Sequence, residues 1–74
     1  MGYSWVEYDE VDDNGRFRSR IAYVENKTGE VMALVSPPIY GEAHVMVNGY
    51  AIGEDRWFTT IDFAKNFVVS EVGS

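Results

Sequence analysis

The chain predicts an α+β fold: an antiparallel β-meander of four to five strands with one C-terminal helix packed on one face. Three observations carry this. Strand formers recur in short runs between turn sequences, namely Asn14-Gly15, Asn26-Lys27-Thr28-Gly29 and Asn48-Gly49. Only the stretch from Trp57 to Gly73 has helical spacing. A helix that short is marginal alone in water, so its apolar face needs a sheet, which the preceding residues can supply. With 74 residues, the chain makes a single small α+β domain, 1–74, with a thin core.

Tyr3 to Val11 is rich in strand formers (Tyr3, Trp5, Val6, Tyr8). Asn14-Gly15 then suits a two-residue type I′ turn, which needs positive φ at both positions. That turn sets Asp13 opposite Arg16, Asp9 opposite Arg20, Tyr8 opposite Ile21 and Val6 opposite Tyr23. Acids would meet arginines on one side and apolar residues would gather on the other; a slip of one residue would exchange the faces. A three-residue loop ending in left-handed Gly29 pairs Val24 with Met32, Tyr23 with Ala33 and Ile21 with Val35. The third strand, about Glu30 to Ser36, stops at Pro37-Pro38, because proline cannot donate to a ladder. Ala43 to Val47 reads as a strand, Asn48-Gly49 as a second type I′ turn, and Tyr50 to Ile52 as the return. Strand order past the prolines is open.

In the helix, Thr59 can cap and Asp62 can answer it, an imperfect capping box with Asp for Glu. Phe58 and Phe63 match a hydrophobic staple, and Gly73 stands where a left-handed stop belongs. Ile61, Ala64, Val68 and Val72 share one face, flanked by Phe63 and Phe67, with Asp62, Asn66 and Ser70 opposite. One helix covers one face of the sheet. The face holding Ile21, Tyr23, Ala33 and Val35 is expected to include Val6, Tyr8, Phe17 and Val31. The other carries Arg16, Arg18 and Arg20 with Trp5, Ala22, Val24, Met32 and Leu34.

The formal charge of −6, from 12 acidic and 6 basic residues, repels phosphate backbones and anionic lipid. No direct nucleic-acid or membrane partner is therefore expected. With no Cys, disulfides, thiolate catalysis and Cys-based zinc sites are excluded. No apolar run approaches a membrane span, and Met1-Gly2-Tyr3-Ser4-Trp5 has no basic region of a signal peptide, which fits a cytoplasmic protein.

Candidates for chemistry are few. His44, the lone histidine, has no acid or nucleophile beside it in sequence. Glu10, Asp12, Asn14 and Gly15 fall at calcium-loop places, but Ile21 stands where a bidentate Glu is needed, so a hairpin tip is expected. The arginine stripe could bind phosphate, yet its acidic cross-strand partners cancel most of its field. No catalytic, cofactor or metal residues are assigned. What remains is an aromatic and apolar set suited to a protein partner or to self-association: Trp5, Met32, Leu34, Tyr40, Tyr50 and Trp57.

In size, acidity, lack of Cys and hairpins followed by a short helix, the chain resembles small phage-encoded proteins of the anti-CRISPR and host-takeover type. Trp57-Phe58-Thr59-Thr60-Ile61-Asp62-Phe63-Ala64-Lys65 is similar to the ending of such sheet-plus-helix modules. The resemblance implies a non-catalytic protein that binds and blocks a macromolecule; it assigns no functional residue. The expected function is an acidic protein-binding module, an inhibitor of a basic surface on a host macromolecule. The alternative is a homodimer closed through the second sheet face; a metal-binding or enzymatic domain ranks last.

Overall fold

Acidic turn chemistry sets the first hairpin. Asp12 Oδ1 accepts the backbone N–H groups of Asn14 and Arg16, both at 2.9 Å. The Gly15 N–H donates to the Asp12 carbonyl at 3.0 Å, and Gly15 turns left-handed, at φ 78°. The result is a three-residue loop closed by Asp12 and Arg16, in place of the expected two-residue turn. It joins β1 (Tyr3–Val11) to β2 (Phe17–Glu25) with Val11 opposite Phe17, Tyr8 opposite Arg20, Val6 opposite Ala22 and Trp5 opposite Tyr23. Every pair is one residue away from the expected register. Because side chains alternate, the slip moves Val6 and Tyr8 to the face expected for the arginines and brings Trp5 to the core side.

The computed structural model describes residues 2–39 and 42–73. It holds one five-stranded antiparallel sheet in the order β1-β2-β3-β4-β5, with β3 at Val31–Ser36, β4 at Val45–Asn48 and β5 at Asp55–Phe58. The meander is as expected, and consecutive strands are neighbours throughout. Ile21, Ala22 and Tyr23 meet Val35, Leu34 and Ala33 in the expected register. Nearer the turn a bulge intervenes, so Val24 meets Val31 instead of Met32. The cause is the loop: Gly29 (φ 75°) donates to the Glu25 carbonyl and Glu25 donates to that of Glu30, leaving Met32 as the extra residue.

Asn48-Gly49 is not a type I′ turn, and Tyr50 to Ile52 is not a strand. Asn48 pairs with Asp55 across a longer loop. Gly53 supplies its positive φ of 85° and donates to the Gly49 carbonyl at 2.8 Å, while the Ala51 N–H fastens the loop to the Met32 carbonyl at 2.9 Å.

The helix α1 (Ile61–Val72) is capped by Thr60, one residue after the expected Thr59; its hydroxyl accepts the Phe63 N–H at 3.2 Å. The strand takes Trp57 and Phe58 as partners of Met46 and Val45, so the helix begins later. The staple changes as well: Phe58 packs on Phe67 with the rings tilted 40° and centroids 5.2 Å apart, and Phe63 is exposed. Gly73 ends the helix at φ 117°, its N–H bonded to the Val69 carbonyl.

α1 lies over β3, β4 and β5. The buried core is Ile21, Tyr23, Ala33, Val35, Val45 and Val47 from the sheet against Ala64 and Val68 from the helix. Each fully buried Val contributes about 1.5–3 kcal/mol. Tyr23 extends this layer toward β1, sandwiched by Tyr3 (5.2 Å) and Trp5 (4.4 Å), and its hydroxyl donates to the Gly73 carbonyl at 2.5 Å. Burial pushes the Tyr23 phenol above its ordinary pKa, so it remains a donor at neutral pH.

Candidate functional site: the open face of the sheet

The helix covers one side of the sheet, and the register assigns the other side residue by residue. One row across it runs Val6, Ala22, Leu34, Asn48, Asp55. The next holds Tyr8 opposite Arg20, then Ser36, Met46 and Trp57, and beyond it Glu10 faces Arg18. Val24 and Val31 lie on the same face on the side of the second turn.

On this face lies a shallow hollow of about 350 Å³ lined by Tyr8, Val31, Leu34 and Tyr50. Leu34 is its buried floor at 8% exposure, while Tyr50, from the β4–β5 loop, stands 66% exposed at its rim. Val6 continues the apolar surface on the β1 side, and Trp57 stands exposed on β5. Partial burial, with the Glu10 charge adding, raises the Tyr8 phenol above its ordinary pKa against the pull of Arg20. Tyr8 is thus a neutral hydroxyl on an apolar wall.

The arginines of this face have acidic or hydroxyl partners, though Arg18 Nε is buried without a hydrogen bond among the described residues. Arg20 Nε donates to Glu10 Oε1 at 2.7 Å, and its Nη1 donates to the buried Ser36 hydroxyl. Arg18 forms a two-pronged pair with Glu42 at 2.9 and 3.2 Å. The Arg18 guanidinium holds the Glu42 carboxyl below the usual glutamate range, helped by the Ile39 N–H. Cross-strand neutralisation was expected, but the partners differ: Glu10 replaces Asp9, and Glu42 comes from the β3–β4 connection. Such pairs at partly exposed positions add little stability, but they cancel the positive field a phosphate would need.

The structure redistributes the expected docking residues. Leu34, Tyr50 and Trp57 lie on or around the open face. Trp5 does not: it packs on Tyr23 on the helix side, with Lys65 Nζ 5.1 Å above its ring. Met32, the bulge residue, packs against the core. Tyr40 falls outside the described residues. Val6, Tyr8 and Val31 were assigned to the covered face and belong to the open one. The sequence held one sign of this: Asp12, two residues ahead of Asn14, can accept its N–H and favour a three-residue loop.

His44 is exposed at the bend before β4. Among the described residues no group of His, Asp and Glu could hold a metal ion, and no helix is long and apolar enough to cross a membrane. Comparison with known proteins returns no match to a family model, to a curated protein or to a solved structure.

Proposed function

We propose that this chain is a non-catalytic protein-binding module whose open sheet face docks on a basic surface of another protein and blocks it, as an inhibitor does. One observation carries the reading: an apolar hollow floored by Leu34 and walled by Tyr8, Val31 and Tyr50, on a face no element covers among the described residues. Exposed aromatics around a dry floor are the composition of an interface centre. The net charge of −6 supplies long-range attraction to a basic partner.

The test is cross-linked capture from cell lysate with the wild type and with Tyr50→Glu, a change at an exposed rim residue that leaves the core intact. The expected result is a partner held by the wild type at low salt and lost both in the variant and at high salt. Equal retention by both proteins overturns the reading. Sedimentation of the purified chain runs beside it. A dimer that Tyr50→Glu dissolves would give the face to a second copy of this chain instead.

A further inference from the structure

β1 is an edge strand with no element on its outer side among the described residues. Its register against β2 runs unbroken from Tyr3 to Val11, and it contains no proline. Protein sheets commonly blunt such an edge with a bulge, a proline or charged side chains; in this strand the charges are all acidic.

The ladder shows which backbone groups are free. In an antiparallel pair, residues that exchange hydrogen bonds alternate with residues that point away. The Gly2 carbonyl accepts the Asn26 N–H at one end, and the Asp12 N–H donates to the Arg16 carbonyl at the other. Ser4, Val6, Tyr8 and Glu10 share that inward parity. Tyr3, Trp5, Glu7, Asp9 and Val11 therefore aim N–H and C=O outward.

Glu7 and Asp9 are exposed neighbours on the helix side, and neither has a cation partner among the described residues. Val6 and Tyr8 turn to the other side as part of the open face. A strand added here would place alternate residues opposite two unneutralised carboxylates and the intervening ones beside an apolar ledge.

We propose that the β1 edge binds an extended segment of a partner protein by strand addition, with Lys or Arg opposite Glu7 and Asp9 and apolar residues between them. This rests on the protein-binding reading above but uses the edge rather than the hollow. The occupant follows from charge. A second copy of β1 is disfavoured, because the antiparallel register that pairs the whole strand sets Glu7 against Glu7, and the register shifted toward Val11 sets Glu7 against Asp9; the one shifted toward Tyr3 avoids both contacts only by leaving Glu10 and Val11 unpaired. Like charges directly opposite destabilise a pair. An alternating basic segment meets both acids favourably in the same geometry.

The experiment is amide hydrogen exchange by NMR on the full chain, with a synthetic peptide as long as β1 that alternates Lys and Val, and its counterpart that alternates Glu and Val. The Lys peptide should slow exchange at Trp5, Glu7 and Asp9 by about tenfold or more. The Glu peptide should leave these amides unchanged. In the double variant Glu7→Lys with Asp9→Lys, at exposed positions, the preference should reverse. No slowing with either peptide, or equal slowing with both, overturns the proposal. Shifts confined to Tyr8 and Tyr50 ring signals, with the Trp5, Glu7 and Asp9 amides unmoved, overturn it too and leave the open-face reading standing.

Discussion

A Cβ added at Gly49 would sit 2.4 Å from the Glu54 carbonyl oxygen and 2.8 Å from Ile52 Cβ. One of these is backbone and cannot swing aside. Gly49→Ala should therefore cost about 1–3 kcal/mol in urea unfolding, the usual toll of overpacking. At Gly15 nothing lies within 4 Å, and only the positive φ resists a side chain, so Gly15→Ala should cost roughly 1–2 kcal/mol by backbone strain alone. An alanine at either position that leaves the unfolding midpoint unchanged would contradict this account. The same Asn-Gly pair thus serves as a left-handed corner at one site and as a gap for close packing at the other. A dipeptide does not reveal which, because the deciding atoms are Asp12 Oδ1 in one case and the distant Glu54 carbonyl in the other. Titration belongs to this scale as well. Donated N–H groups, that of Arg16 first, hold the Asp12 carboxyl below its ordinary range, and the Arg18 hydrogen bond does the same for Glu42. A depressed folded-state pKa contributes stability that is present above the unfolded value and lost as pH falls through the folded one. Both carboxylates are solvent-exposed, so the loss is small: thermal midpoints should begin a slight fall near the ordinary values of 4.5 for Glu42 and 3.8 for Asp12. Glu42→Gln should flatten the first part of that decline; an unchanged acid profile would rule the pair out as its source.

Among the elements, the helix was legible because Ile61, Ala64 and Val68 keep the spacing of one face, and all three pack on the sheet. Its start was not, since Thr59 and Thr60 can both cap and sequence alone does not say how far β5 runs. Pairing of Trp57 and Phe58 with β4 settles the choice for Thr60. Thr60→Ala should lower stability by about 1 kcal/mol, while Thr59→Ala should change it by no more than a few tenths. Chemical denaturation of the two variants checks this, and the reverse order would mean the cap lies one residue earlier. The β2–β3 pairing was legible for the same reason the helix was: burial on one face leaves a single register. In β1 the apolar residues Trp5, Val6 and Tyr8 straddle both faces, so either register satisfied the pattern, and the loop made the decision. The candidate site suffered most from this. Leu34, Tyr50 and Trp57, named from the sequence, lie on or around the open face, whereas placing Tyr8 and Val31 there required the true register and the bulge at Met32.

The whole molecule is a thin core with a long arm. β1 and β2 are each 9 residues, whereas β4 and β5 are each 4, so the first hairpin runs past the part of the sheet the helix covers. At its end Val11 and Phe17 face each other across the strands yet remain 58% and 71% exposed, with no third layer over them among the described residues. Val35, Val47 and Val68 are wholly buried at the other extreme. Local stability should follow that gradient, because a segment opens on its own when few apolar contacts hold it. Amides of Val35 and Val47 should exchange only by global unfolding, with a denaturant dependence equal to that of the whole protein. Amides in the hairpin beyond Asp9 and before Ser19 should exchange through a local opening that exposes little surface, and so respond weakly to denaturant. Val68→Ala should cost about 2–3 kcal/mol and accelerate the first group by that global amount while leaving the second nearly unchanged. If the hairpin amides instead follow the core through both denaturant and mutation, the arm and the core form one cooperative unit. The free edge of β1 would then be as rigid as the centre of the sheet, held ready for a strand in place of being ordered by one.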